Sequence, residues 1–142
     1  MVAAASLTIP AAVAEELLAH AQAELPNEAC GLLAGDLATG SASVFHPARN
    51  SEESPLRYNV HPDDLVRIIF AIEDAEQDLV AIFHSHTRSP AVPSATDRRA
   101  AQYPDALYLL ATLADPHASA AASLRAWRIR DGEVTEVPLR VE

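Results

Sequence analysis

Apolar residues recur four apart at Val13, Leu17 and Ala21, with Leu18 alongside and Glu15, Glu16 and Gln22 on other bearings, so residues 10–24 read as a helix with one apolar stripe. Thr8 and Pro10 suit its start, and Pro26 with Asn27 breaks it. A short apolar run from Ala29 to Ala34, closed by Gly35 and Asp36, predicts a buried strand and leaves Glu28 at a helix-to-strand junction. Residues 42–48 and 56–60 predict two more strands, separated by the polar, Pro-containing loop 49–55. In residues 61–77, Pro62, Asp63 and Asp64 occupy a first helical turn and Leu65, Ile68, Ile69 and Ile72 form one face. The apolar, partly β-branched run 79–83 predicts a central strand that delivers His84 and His86 at its end. A loop rich in Pro and Ser leads to a short helix over 94–102, and strands are predicted at 106–114, 123–130 and 133–141, the last two joined by the hairpin dipeptide Asp131-Gly132. Helices interleaved with strands and ending in a run of strands describe an α/β or α+β fold around a mixed sheet, as one domain spanning residues 1–142.

Composition narrows the function classes. With 49% hydrophobic and 21% charged residues, the 142-residue chain has the make-up of an ordinary globule. Its net charge of -10 and pI near 4.9 argue against nucleic acid or an anionic membrane as partner. All ten basic residues are Arg. Cys30 is the single cysteine, which excludes an internal disulfide or a thiolate metal cluster and fits a reducing, cytoplasmic setting. The apolar opening run lacks a basic start, contains Pro10 and meets Glu15 and Glu16, so it reads as neither a secretory signal nor a membrane span.

The chemistry concentrates around His84-Ser85-His86. Strand alternation puts both imidazoles on one face, close enough to share an ion, and Asp97 follows eleven residues later at a helix start. Two His and one carboxylate leave a fourth tetrahedral position open, the pattern of a catalytic zinc site. Each piece also has an ordinary reading. His-x-His arises often by chance, and Ser94-x-x-Asp97 is a capping box in its own right. A metallo-β-lactamase-like site would need Asp-His where Arg88-Ser89 stand, a cupin would need Glu near Pro90 and Ala91, and an amidohydrolase barrel needs a far longer chain. Ligand type alone leaves iron open.

Taken together, Glu28, His84-x-His86, seven residues, Ser94, two residues and Asp97 resemble the signature of the JAMM (MPN+) metalloproteases. The resemblance covers essentially the whole chain and implies a cytidine deaminase-like fold, a curved mixed sheet flanked by helices, with one zinc ion. It implies His84, His86 and Asp97 as ligands, Glu28 as general base and Ser94 as a donor to the oxyanion. Asn27 to Gly35, Ser54-Pro-x-x-Tyr58, His84 to Thr87 and Asp131-Gly-x-Val134-Thr-Glu136 are similar to the bacterial Mec branch, whose members release cysteine from ubiquitin-like sulfur-carrier proteins ending in Gly-Gly. Thr87 stands where many JAMM deubiquitinases have Pro, and there is no room for insertions that select polyubiquitin linkages. A desampylase-type isopeptidase acting on lysine conjugates and a non-catalytic MPN scaffold are the alternatives, and homodimer formation stays open. Thr87 and Arg88, directly after the second His, are the substrate-binding candidates, Arg88 because a guanidinium matches a carboxylate in bidentate fashion. An extended substrate tail is expected to add to a sheet edge. Cys30 is expected as an inert buried side chain, Trp127 and Tyr108 as core, and His20, His46, His61 and His117 as surface or turn residues.

Overall fold

The structure is a computed structural model and describes residues 4–142. Its elements in chain order are β1 (Leu7–Ile9), α1 (Ala11–Ala23), β2 (Cys30–Asp36), β3 (Ser41–Ala48), α2 (Pro62–Asp74), β4 (Asp78–His86), α3 (Ala95–Ala100), β5 (Leu107–Thr112), α4 (Ala120–Ser123), β6 (Leu124–Arg130), β7 (Glu133–Val137) and β8 (Leu139–Val141). They build one eight-stranded mixed sheet in the order β7-β6-β5-β4-β2-β3-β1-β8. β4 lies near its middle, antiparallel to β2 and parallel to β5. The parallel step from β4 to β5 needs a crossover, and α3 lies within it.

The sheet is buried on both faces, which explains why β2, β4 and β5 read as continuous apolar runs. The α1 residues Val13, Leu17 and Ala21 close one side with Leu33, Phe83 and Leu109. Ile68 and Ile72 of α2 close the other with Leu32, Ile82, Tyr108 and Trp127. The expected core places of Trp127 and Tyr108 are thus observed, and each polar atom has a task. Trp127 Nε1 donates to the Ala91 carbonyl, and the Tyr108 hydroxyl accepts from the backbone N–H groups of Gln102 and Tyr103. Those two bonds occupy the residues after α3, which ends at Ala100 where the sequence pattern ran to 102. Among the described residues no helix is long and apolar enough to cross a membrane.

Two predicted strands are corrected. Residues 56–60 form no strand; only Val60 makes an isolated bridge, to Asn50, and Tyr58 turns inward onto His84. The predicted strand 133–141 is cut at Pro138, which has no N–H for the ladder. β7 stays with β6, while β8 runs parallel to β1, a strand that the sequence pattern did not reveal. The Leu7 N–H donates to the Pro138 carbonyl at that junction.

Candidate metal centre

β4 ends in His84 and His86, which lie on one face with ring centroids 5.1 Å apart. Ser85 between them points to the opposite face. Its Oγ accepts from the Ala29 N–H at 2.9 Å, and its N–H donates to the Ala29 carbonyl at 3.0 Å. This pairing docks the residue after Glu28 beside the histidine pair. The Glu28 N–H donates to the Ser54 carbonyl, and Asn50 Nδ2 donates to the Glu28 carbonyl.

Asp97 arrives from the first turn of α3. Ser94 and Asp97 form a complete capping box: Ser94 Oγ accepts from the Asp97 N–H and Asp97 Oδ2 accepts from the Ser94 N–H. The same Oδ2 lies 2.9 Å from His86 Nε2 and 3.1 Å from His84 Nε2. The cap and the cluster are therefore one arrangement, in which the helix start aims the carboxylate at both imidazoles.

The residues present fit a metal ion. One ligand atom each from His84, His86 and Asp97 falls within 4.8 Å of the others, all three residues being buried. His84 Nε2 makes no hydrogen bond despite its short distance to Asp97, leaving an orphaned buried nitrogen aimed at the cluster. His86 Nδ1 lies 2.7 Å from the Pro90 carbonyl, and a donated N–H there leaves the Nε2 lone pair for a metal. Burial pushes the Asp97 carboxyl up, yet the two imidazoles beside it and the Ser94 N–H hold it far below the usual carboxylate range.

Glu28 is 3% exposed and its Oε1 has no hydrogen-bond partner. Burial pushes its carboxyl up to about 8, with His86 drawing it down and Asp97 raising it. Glu28 lines a cleft of about 690 Å³ together with His86, Thr87, Arg88, Ser94 and Leu56. Of the seven candidate residues, Glu28, His86, Thr87, Arg88 and Ser94 line this cleft, and His84 and Asp97 lie buried beside His86. Thr87 Oγ1 donates to the Pro55 carbonyl at 3.4 Å, tying the two cleft loops together. Cys30 stays out of the chemistry, because burial pushes its thiol up to about 12 and its Sγ faces the Arg49 carbonyl.

Two residues of the site were not recognised from the sequence. Tyr58 is stacked on His84, with ring centroids 4.3 Å apart and planes 18° off parallel. Asn50 satisfies all four of its hydrogen-bonding positions: Nδ2 donates to the Glu28 and Arg57 carbonyls, and Oδ1 accepts from the Glu52 and Asn59 N–H groups. It thereby anchors the loop that carries Tyr58 to the residue that carries the free carboxyl. The motif Ser54-Pro-x-x-Tyr58 was the one available signal, and it gave no direction for the ring.

The chain belongs to the family of prokaryotic homologs of the JAB domain, which its residues 10–130 match. Among curated relatives it is similar to the CysO-cysteine peptidase of Mycobacterium tuberculosis, 41% identical over 135 residues that make up 95% of this chain and 90% of the relative. It is also similar to the Desampylase of Haloferax volcanii, 38% identical over 73% of this chain and 78% of that protein. Among solved structures, protein DSY2949 from Desulfitobacterium hafniense superposes with a TM-score of 0.85 at 32% identity, covering 96% of this chain and 92% of that one. A JAB1/MPN domain protein from Archaeoglobus fulgidus, at 16% identity and a TM-score of 0.57 over 94% of this chain and 99% of its own, shares the fold.

Proposed function

We propose that the chain is a zinc peptidase that hydrolyses the amide bond after the Gly-Gly tail of a ubiquitin-like sulfur carrier and releases cysteine. The observation that carries this reading is a buried, unpaired Glu28 carboxyl that lines the same cleft as His86, one member of the His84, His86 and Asp97 cluster. The similarity to the CysO-cysteine peptidase over 95% of the chain supports the choice of leaving group.

His84 and His86 would hold zinc through Nε2 and Asp97 through its carboxylate. When bound, the ion supplies Lewis acidity that polarises the scissile carbonyl and eases ionisation of water. Glu28, with Oε1 free of any hydrogen bond and the side chain lining the cleft, takes a proton from the attacking water and returns it to the amine as the C–N bond breaks. Ser94 Oγ accepts from the Asp97 N–H, so its own proton remains available to the carbonyl oxygen as negative charge develops there. Arg88, exposed at the lip, receives the carboxylate of the departing amino acid.

The test is to offer the protein a Gly-Gly-ended carrier bearing a C-terminal cysteine and, separately, a lysine conjugate of that carrier. Loss of one cysteine mass from the first is expected. Cleavage of the lysine conjugate alone would transfer the reading to the desampylase type, which the similarity to the Haloferax volcanii protein favours as the second choice. Glu28→Gln is expected to abolish turnover with zinc content by elemental analysis unchanged; metal loss in that variant would make Glu28 a ligand.

A further inference from the structure

The cations of this acidic chain are unevenly employed. Arg49, Arg57, Arg67, Arg125, Arg130 and Arg140 each pair with a carboxylate, and Arg128 donates to the Ala4 carbonyl. Among the described residues Arg88, Arg98 and Arg99 have neither an ion pair nor a backbone acceptor, and all three are exposed. They stand together in sequence, between the end of β4 and the end of α3, in a stretch 87–104 whose single acid is the buried Asp97. In a chain of net charge -10, the unneutralised positive charge is thus gathered on one of the segments that border the cleft.

The geometry suits a protein rather than its tail alone. Ser94 at the start of α3 lines the cleft, while Arg98 and Arg99 on its last turn line a second cavity of about 430 Å³ that also includes Arg130 and Asp131, three cations to one acid. Six helical residues span about 9 Å. An extended tail of four residues reaches about 13 Å, so the far end of α3 lies within reach of a folded body whose tail enters the cleft.

We infer that Arg98 and Arg99 form a cationic docking surface for an acidic face on the body of the carrier, beside the cleft that takes its tail. This rests on the reading of the chain as a carrier peptidase. Field from an unpaired cluster, surrounded by a protein of opposite sign, selects and orients an anionic face and speeds its encounter. Nucleic acid offers a denser anion, but the -10 charge repels a long polyanion beyond this one patch.

The test compares the wild-type protein with Arg98→Glu/Arg99→Glu on two substrates, the intact carrier–cysteine adduct and a short peptide ending in Gly-Gly-Cys, at low and high salt. For the adduct, kcat/KM is expected to fall about ten-fold at low salt and to lose its salt dependence, whereas the peptide is cleaved as before. A lysine placed on the acidic face of the carrier restores part of the loss. An unchanged adduct rate, or an equal loss on adduct and peptide, would overturn the docking surface. Binding of fluorescent carrier to the uncleaving Glu28→Gln protein, with and without the Arg pair reversed, reads docking without turnover. Equal affinity overturns it, and so does a short oligonucleotide that outcompetes the carrier. If the wild-type protein cleaves neither substrate while carrier binding still depends on the Arg pair, the peptidase reading fails and the surface stands. Arg98→Ala/Arg99→Ala, with melting curves for each variant, separates lost charge from lost fold.

Discussion

Tyr58 and His84 lie face to face, and no hydrogen bond fixes His84 Nδ1. Of the two imidazoles, His86 is oriented by the Pro90 carbonyl and His84 by an aromatic plane. Partners that orient a ligand are typically worth ten- to a hundred-fold in metal affinity. If the cluster holds zinc as proposed, Tyr58→Leu is expected to weaken its binding about ten-fold, measured by competition with a chelator, while Tyr58→Phe keeps the stack and the affinity. Equal loss in both variants would give the role to the hydroxyl instead. The site's principal residues were legible because strand alternation fixes where two histidines point, and because a helix start fixes an acid at its third position. Tyr58 and Asn50 were not, since their directions depend on the path of loop 49–60, which no local periodicity encodes. The two readings of Ser94-x-x-Asp97 proved compatible: the cap is what holds the carboxylate in place.

β2 and β3 approach closely at two glycines. A Cβ on Gly31 would stand 2.5 Å from the His46 carbonyl and 2.6 Å from the Phe45 ring, and one on Gly35 would stand 2.0 Å from the Ser41 carbonyl. Gly31→Ala is expected to force the strands apart at a cost of about 1–3 kcal/mol, read as a lower urea midpoint; a midpoint within error of wild type would show that β3 yields freely. Because β2 begins directly after Glu28, the same variant is expected to lower turnover. Elements with a full period of pattern, α1, α2, β2 and β4, were readable from the chain to within three residues at either end. The three-residue β1 and four-residue α4 are too short to show a period, and Pro138 marked a break whose consequence, a change of partner strand, is set by long-range pairing. For the proposed substrate tail, the sheet ends at β7 and β8, whereas the cleft lined by Glu28 and His86 opens between the loops of Pro55 and Arg88.

At the scale of the molecule, the change of stability with pH is set by individual paired carboxylates such as Asp64 rather than by the total charge. Asp64 in the first turn of α2 accepts from Arg49 Nε, Nη2 and backbone N–H, and these bonds hold its carboxyl well below its ordinary value of 3.8. The folded chain then binds fewer protons at Asp64 than the unfolded chain between those two values. Its contribution to stability is complete above about pH 4 and disappears as pH falls through the depressed value. Asp64→Asn is expected to melt below wild type at pH 7, with the gap closing below pH 4; a gap independent of pH would place the effect in packing instead. The sheet imposes a different kind of unity. β7 and β8 are separated by Pro138 alone, yet they stand at opposite ends of the eight-strand order. The strands therefore form a hoop with a one-residue clasp, fastened where Leu7 meets the Pro138 carbonyl. In such a circuit no spacing between neighbours is independent of the rest, so the gap between Glu28 and the two histidines is gauged in part by residues on the far side of the ring.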